Sequence, residues 1–192
     1  MTTATALPDW IADLASEHAE RRRAAAMFCY REGSQLGEAA IAAWCKDADF
    51  ESEICGAPTV GIAVHPTRFD AIRAAMASPP LANVPPEQDA SEFELHFETK
   101  FGEVFLDILT TRSPGQGGAI DKFLAKFGEG IQQVEFPVKN VDRATALLRE
   151  RFGEQPIYPQ TRAGANNTRV NFFLATAPGG KKALIELVEA AT

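Results

Sequence analysis

The segment Ile120 to Phe136, IDKFLAKFGEGIQQVEF, and its distant counterpart Leu184-Ile185-Glu186-Leu187 constrain the fold more than any other part of the sequence. The first reads as a helical turn, a glycine-punctuated corner and the opening of a strand. The second reads as the last strand of the same unit. Alternate side chains of a strand share a face, so Gln133 and Glu135 are expected to point together. Glu186 is a carboxylate in an otherwise apolar strand, a costly placement without a partner, a proton or a cation. The pattern predicts a polar site inside a β-structure.

The rest of the chain falls into three blocks. Leu7 to about Cys55 is helical by pattern, with Trp10, Ile11, Leu14, Ala15 and His18 at helical spacing. Gly33 is expected to break that run, and Ser34 with Glu38 to open a second helix through Ile41 and Trp44. Arg21-Arg22-Arg23 lie among Glu17, Glu20 and Glu32, which favours a solvated helix face over a phosphate patch. The second block pairs a short strand, Thr59 to Val64, with a helix from Thr67 to Ala77. Four prolines between Ser78 and Gln88 discourage ladder pairing. Phe93 to Phe97 alternates as a half-buried strand, and Gly102 turns it into a partner, Val104 to Leu109.

The third block repeats this order. Ile131 to Val138 is a strand, Val141 to Phe152 a helix, and Ile157-Tyr158 marks a short irregular strand. A hairpin of Arg169–Ala175 and Ala183–Val188 closes it around Pro178-Gly179-Gly180. Two copies of strand–helix–strand–strand–strand form an internal repeat of organisation. The linker Gly115-Gln116-Gly117-Gly118 joins them and lacks the Lys-Ser/Thr of a phosphate loop.

This βαβββ repeat resembles the vicinal oxygen chelate superfamily of glyoxalases, extradiol dioxygenases and bleomycin-resistance proteins. The C-terminal block is most similar to methylmalonyl-CoA epimerase, through Lys122-Phe123-Leu124, Gly128-Glu129-Gly130-Ile131, Phe136, Arg162, Gly164-Ala165, Phe172, Gly179-Gly180 and the LIEL strand. The resemblance implies an α+β fold of paired βαβββ modules in a curved mixed sheet with a cleft. A helical extension (residues 1–56) precedes a glyoxalase-like domain (residues 57–192) with repeats at 57–113 and 118–192. It also implies a homodimer, and a divalent metal that holds two substrate oxygens while carboxylates move a proton.

The ligand slots implied by that pattern fall on Thr59, Asp107, Gln133 and Glu186. Both expected imidazoles are replaced, which turns the donor set from zinc towards magnesium, manganese or calcium. Glu135 stands where the family prefers a small residue and is the candidate acid–base group. Its other readings are pairing with Arg162 or Arg169, or exposure to solvent. Two functions follow. One is a lyase- or epimerase-like enzyme with an altered, His-free, oxygen-ligated site acting on a small oxygenated substrate. The other is a metal-free module that binds or senses a small molecule.

A net charge of -7 argues against nucleic acid or an anionic membrane as partner. Cys29, Cys45 and Cys55 show no C-x-x-C spacing and read as reduced thiols. With no apolar run of spanning length, the expected location is cytoplasmic.

Overall fold

The computed structural model describes residues 7–99 and 102–190. These residues form two compact units. One comprises residues up to Glu32 with Val60–Gln132, and the other Gly33–Thr59 with Gln133 onwards.

In the first unit, β1 (Thr59–Ala63) leads into α4 (Pro66–Ala75), then β2 (Ala90–Thr99) and β3 (Gly102–Thr111). β1 runs parallel to β3, and β2 pairs antiparallel with β3. The alternation in β2 works as the sequence predicts: Phe93 and Leu95 are buried, while Glu94 and His96 are exposed. Phe93 meets Phe69 of α4 edge-on at 4.8 Å, in a core completed by Ile62, Ile72, Leu106 and Ile108. Ile11 and Leu14, in and just after α1 (Leu7–Asp13), and Ala25, Ala26 and Cys29 of α2 (Ala19–Ile41) join the same core. Each large apolar side chain so buried contributes about 1.5–3 kcal/mol of transfer free energy.

The helix boundaries differ from the sequence expectation. α2 passes through Gly33 without a break. The interruption comes earlier, where the Ser16 hydroxyl accepts from His18 N and the Arg22 guanidinium donates to the carbonyls of Ser16 and Glu17. Side-chain bonds to the backbone compete with helix there, whereas the penalty of about 1 kcal/mol for an interior glycine is readily outweighed by packing. The arginine run is internally engaged: Arg21 pairs with Asp13 at 2.6 Å and Arg23 donates to the Glu98 carbonyl.

The proline-rich stretch forms no strand. It is tied down by single bonds, from Ala82 N to Glu92 O, Arg73 to Pro79 O and Arg112 to Val84 O. The first module therefore shows three strands where the repeat predicts four. The unit ends with α5 (Ala119–Phe127) and the start of β4 (Gly130–Pro137). Glu129, in the corner between them, accepts from His65 N at the start of α4 and lies 2.7 Å from Arg68 Nε. The second contact is an ion pair by distance rather than an aligned hydrogen bond, since Arg68 Nε satisfies no hydrogen-bond geometry.

In the second unit the strand order is β4-β7-β6-β5, with β5 at Arg162–Ala163, β6 at Arg169–Thr176 and β7 at Lys182–Glu189. β4 runs parallel to β7, and β5–β6 and β6–β7 are antiparallel. α6 (Val141–Phe152) starts on an Asn140 cap that accepts from Arg143 N and ends at Gly153, whose φ is +70°. One sheet face carries Val134, Phe136, Phe173, Ile185 and Leu187, all buried. Trp44 meets Phe173 and Phe50 edge-on, each at 5.9 Å, within this core. Gly37 lets α2 approach β4 closely, because a Cβ there would stand 2.5 Å from Val134 Cγ1. Short α3 (Ala48–Glu51) is capped by Asp47, which also binds Arg151 of α6. The irregular strand expected at Ile157-Tyr158 reduces to one bond, Ile157 N to Phe172 O at 2.7 Å, and the regular pairing shifts to β5.

Candidate functional site

The face of the second unit opposite its core carries the polar cluster anticipated by the strand pattern. Glu135 of β4 sits in register with Glu186 of β7, and Glu186 with Phe172 of β6. Residues in register point the same way, so Glu135, Glu186 and Phe172 share this face, with Gln133 two residues along from Glu135. The Gln133 amide nitrogen lies 2.9 Å from Glu135 Oε1 and 2.6 Å from Glu186 Oε2. Glu186 is only 7% exposed, while Glu135 and Gln133 are half-buried.

The Cβ atoms of such a cross-strand pair stand roughly 5 Å apart, so the two carboxylates repel when both are ionised. The amide offsets part of that. Both of its partners are acceptors when ionised, so the nitrogen and not the oxygen must face them. Charge-assisted bonds of this length are the stronger kind.

That arrangement tests the divalent metal implied by the resemblance. A coordinated ion needs several lone-pair donors converging on one point, whereas the amide here presents its N–H groups to both carboxylates. Among the described residues, no group of three or more His, Cys, Asp or Glu side chains could hold a metal ion. As oriented, the Gln133 amide presents its N–H groups to the carboxylates; turned through 180° it would present its oxygen beside them, a donor type that magnesium, manganese or calcium takes.

The other two ligand slots, Asp107 and Thr59, lie on β3 and β1. Asp107, 9% exposed, occupies β3 of the first unit between Gly61 of β1 and Glu94 of β2. Thr59 is the first residue of β1 and half-buried. His65 precedes α4 as its capping position and is exposed. His96 lies on the Asp107 face of β2, bracketed by Glu94 at 2.6 Å and Glu103 at 3.1 Å, with its ring edge-on to Phe105 at 4.8 Å.

Beside the cluster stand Phe172 and Arg162, both part of the resemblance, and Tyr158, which no motif marks. Phe173 lies in the core, while Phe172 stays half-buried on the Glu186 face. Tyr158 meets Phe172 edge-on at 5.9 Å, and the Arg162 guanidinium carbon stands 4.3 Å from the Tyr158 ring centre. Arg162 pairs in register with Val170, two residues from Phe172 along β6, which puts it on the same face. Arg169, the other arginine considered for Glu135, binds Asp142 and Glu189 instead. The string Val170 to Ala175 is nearly all apolar, so only the ladder register with Glu186 reveals which of its residues face the cluster.

No family model matches the chain, and no curated protein matches it in sequence. Solved structures do. Methylmalonyl-CoA epimerase from Mycobacterium tuberculosis is 28% identical over 73% of this chain and 91% of that one, with a TM-score of 0.57. A variant of the Streptomyces coelicolor epimerase in complex with 2-nitronate-propionyl-CoA is 29% identical, covering 70% and 93%, with a TM-score of 0.55. A methylmalonyl-CoA epimerase in complex with methylmalonyl-CoA and NH4+ is 28% identical, covering 73% and 96%, also with a TM-score of 0.55. The chain has a vicinal-oxygen-chelate-like α+β fold of the epimerase/glyoxalase kind. No helix among the described residues is long and apolar enough to cross a membrane.

Proposed function

We propose that this chain is a small-molecule binding module in which Glu135, Gln133 and Glu186 hold the N–H-bearing end of an organic ligand without a divalent metal. The observation that carries the reading is the Gln133 amide nitrogen between two carboxylates, at 2.9 and 2.6 Å. An amide in that place already does part of what a cation would do, donating N–H groups to both carboxylates. A ligand ammonium or amidinium suits that surface. A free carboxylate does not, because it would meet two anions in a partly buried place. In this reading Glu135 accepts from the ligand and moves no proton.

Ligand-observed NMR and thermal shift test it. Benzylammonium is expected to bind the wild-type chain and to lose most of its binding in Glu186→Gln. Millimolar manganese, magnesium or calcium is expected to leave the melting temperature unchanged, since only a ligand of the folded state raises it. Stabilisation by a divalent ion that Glu186→Gln abolishes would restore the metal-dependent enzyme as the better account. The homodimer expected from the resemblance is read by light scattering, as twice the 20.8 kDa chain mass.

A further inference from the structure

We infer that the ligand of this face is dipolar: a cationic nitrogen at Glu135 and Glu186, a flat middle against Phe172 and Tyr158, and an oxyanion at Arg162. The inference rests on the binding reading above and adds the opposite end of the molecule.

Arg162 is the observation that carries it. Its guanidinium lies against the Tyr158 ring, 4.3 Å from guanidinium carbon to ring centre. The other C-terminal arginines placed near carboxylates use them: Arg143 with Glu53, Arg151 with Asp47 and Asp49, Arg169 with Asp142 and Glu189. Arg162 is half-buried and forms no ion pair among the described residues. A guanidinium lying on an aromatic ring still presents its N–H groups at the edge, in a fork that matches a carboxylate or phosphate. Tyr158 fixes one face of that fork, so little rotamer freedom remains to be lost on binding.

Geometry links the two ends. β7, β6 and β5 are consecutive in the sheet, so Glu186 and Arg162 belong to strands two intervals apart, about 10 Å. Phe172 stands between them in register with Glu186, and Tyr158 leans on Phe172. The face thus runs from anionic through aromatic to cationic. A molecule with one charge only would leave one end of this row unmatched.

Three matched probes decide the matter: 4-(aminomethyl)benzoate, benzylammonium and 4-methylbenzoate, with the phosphonate analogue of the first as a fourth. Calorimetric or NMR titration is expected to show at least one of the two dipolar probes binding tenfold or more tightly than benzylammonium. The preferred one distinguishes a carboxylate from a phosphate-like oxyanion. Arg162→Gln is expected to bring the ratio of dipolar-probe to benzylammonium affinity down to about one; an unchanged ratio would overturn the assignment of the oxyanion to Arg162. Should Arg162→Gln melt early, Arg162→Lys keeps the charge without the fork and is expected to lose severalfold. If benzylammonium binds and neither dipolar probe gains over it, the dipolar ligand is overturned while the binding reading stands. If benzylammonium itself fails to bind the wild-type chain, the binding reading falls first.

Discussion

The two modules wire their strands alike and fill the equivalent positions differently. In each, the first strand runs parallel to the last and the preceding strand pairs antiparallel with it. Asp107 and Glu186 occupy the corresponding place on the last strand. Asp107 has Gly61 opposite on the first strand and Glu94 on the other side, whereas Glu186 has Glu135 and Phe172. Thr59 stands where the second module has Gln133. One module answers its buried carboxylate with a glycine; the other adds a second carboxylate and an amide to hold both. Shared backbone pairing therefore does not transmit shared chemistry, because the ladder uses peptide groups and the site uses side chains.

Core truncation should produce the largest effects and tests whether the units are equally dependent on their aromatic centres. Phe173→Ala and Phe93→Ala, both fully buried, are each expected to cost about 3–5 kcal/mol in urea unfolding. A cost below about 1 kcal/mol at either site would mean that the unit concerned is held by something other than that core.

Transplanting the difference comes next. Gly61→Glu sets an unpaired carboxylate beside Asp107 and is expected to destabilise by roughly 3 kcal/mol or more. Adding Thr59→Gln, which recreates the amide, is expected to recover part of that loss. In the second module, Gln133→Leu leaves Glu135 and Glu186 without their shared donor and is expected to cost about 1–3 kcal/mol. The double variant Gln133→Leu/Glu135→Gln should regain most of it, because the like charge is gone. Equal costs in single and double variants would show that the carboxylates do not depend on the amide.

Acid sensitivity separates the units less sharply. Hydrogen bonds from Thr161 and Arg169 hold the Asp142 carboxyl below its ordinary value of 3.8, and bonds from Arg151 and the Phe50 amide do so for Asp47. Both belong to the second unit. A carboxyl lowered by folding adds stability above its unfolded value, and that contribution is lost as pH falls through the folded one. Arg169→Gln and Arg151→Gln should therefore flatten the loss of stability below about pH 4, measured by urea titration across pH. The smallest effect is on thiol reactivity. Burial pushes Cys29 up to about 12 and raises Cys45, whereas Cys55 is exposed. Alkylation at neutral pH should label Cys55 first and Cys29 only on unfolding.

Most of the fold was legible because period-two alternation and glycine corners are local. Phe93 to Phe97, Val141 to Phe152 and the closing hairpin lie where their patterns put them. Gly33 misled, since helix continuity there is decided by packing and not by propensity. The convergence of Gln133, Glu135 and Glu186 could be read from strand parity. The aromatic and arginine row could not, because Tyr158 and Arg162 come from an irregular stretch whose position depends on which β6 residues it meets.

One further consequence concerns the order in which the chain leaves the ribosome. Neither compact unit is contiguous in sequence: residues 33–59 interrupt the first and belong to the second. The first unit cannot close until Gln132 has been synthesised, because Glu129 holds His65 and Arg68. At about 5–20 residues per second, Trp44, with Phe50 against it, waits several seconds for Phe173, the ring it meets edge-on. The second unit's aromatic side chains are thus the ones left open longest during synthesis, and a holding chaperone would meet them there.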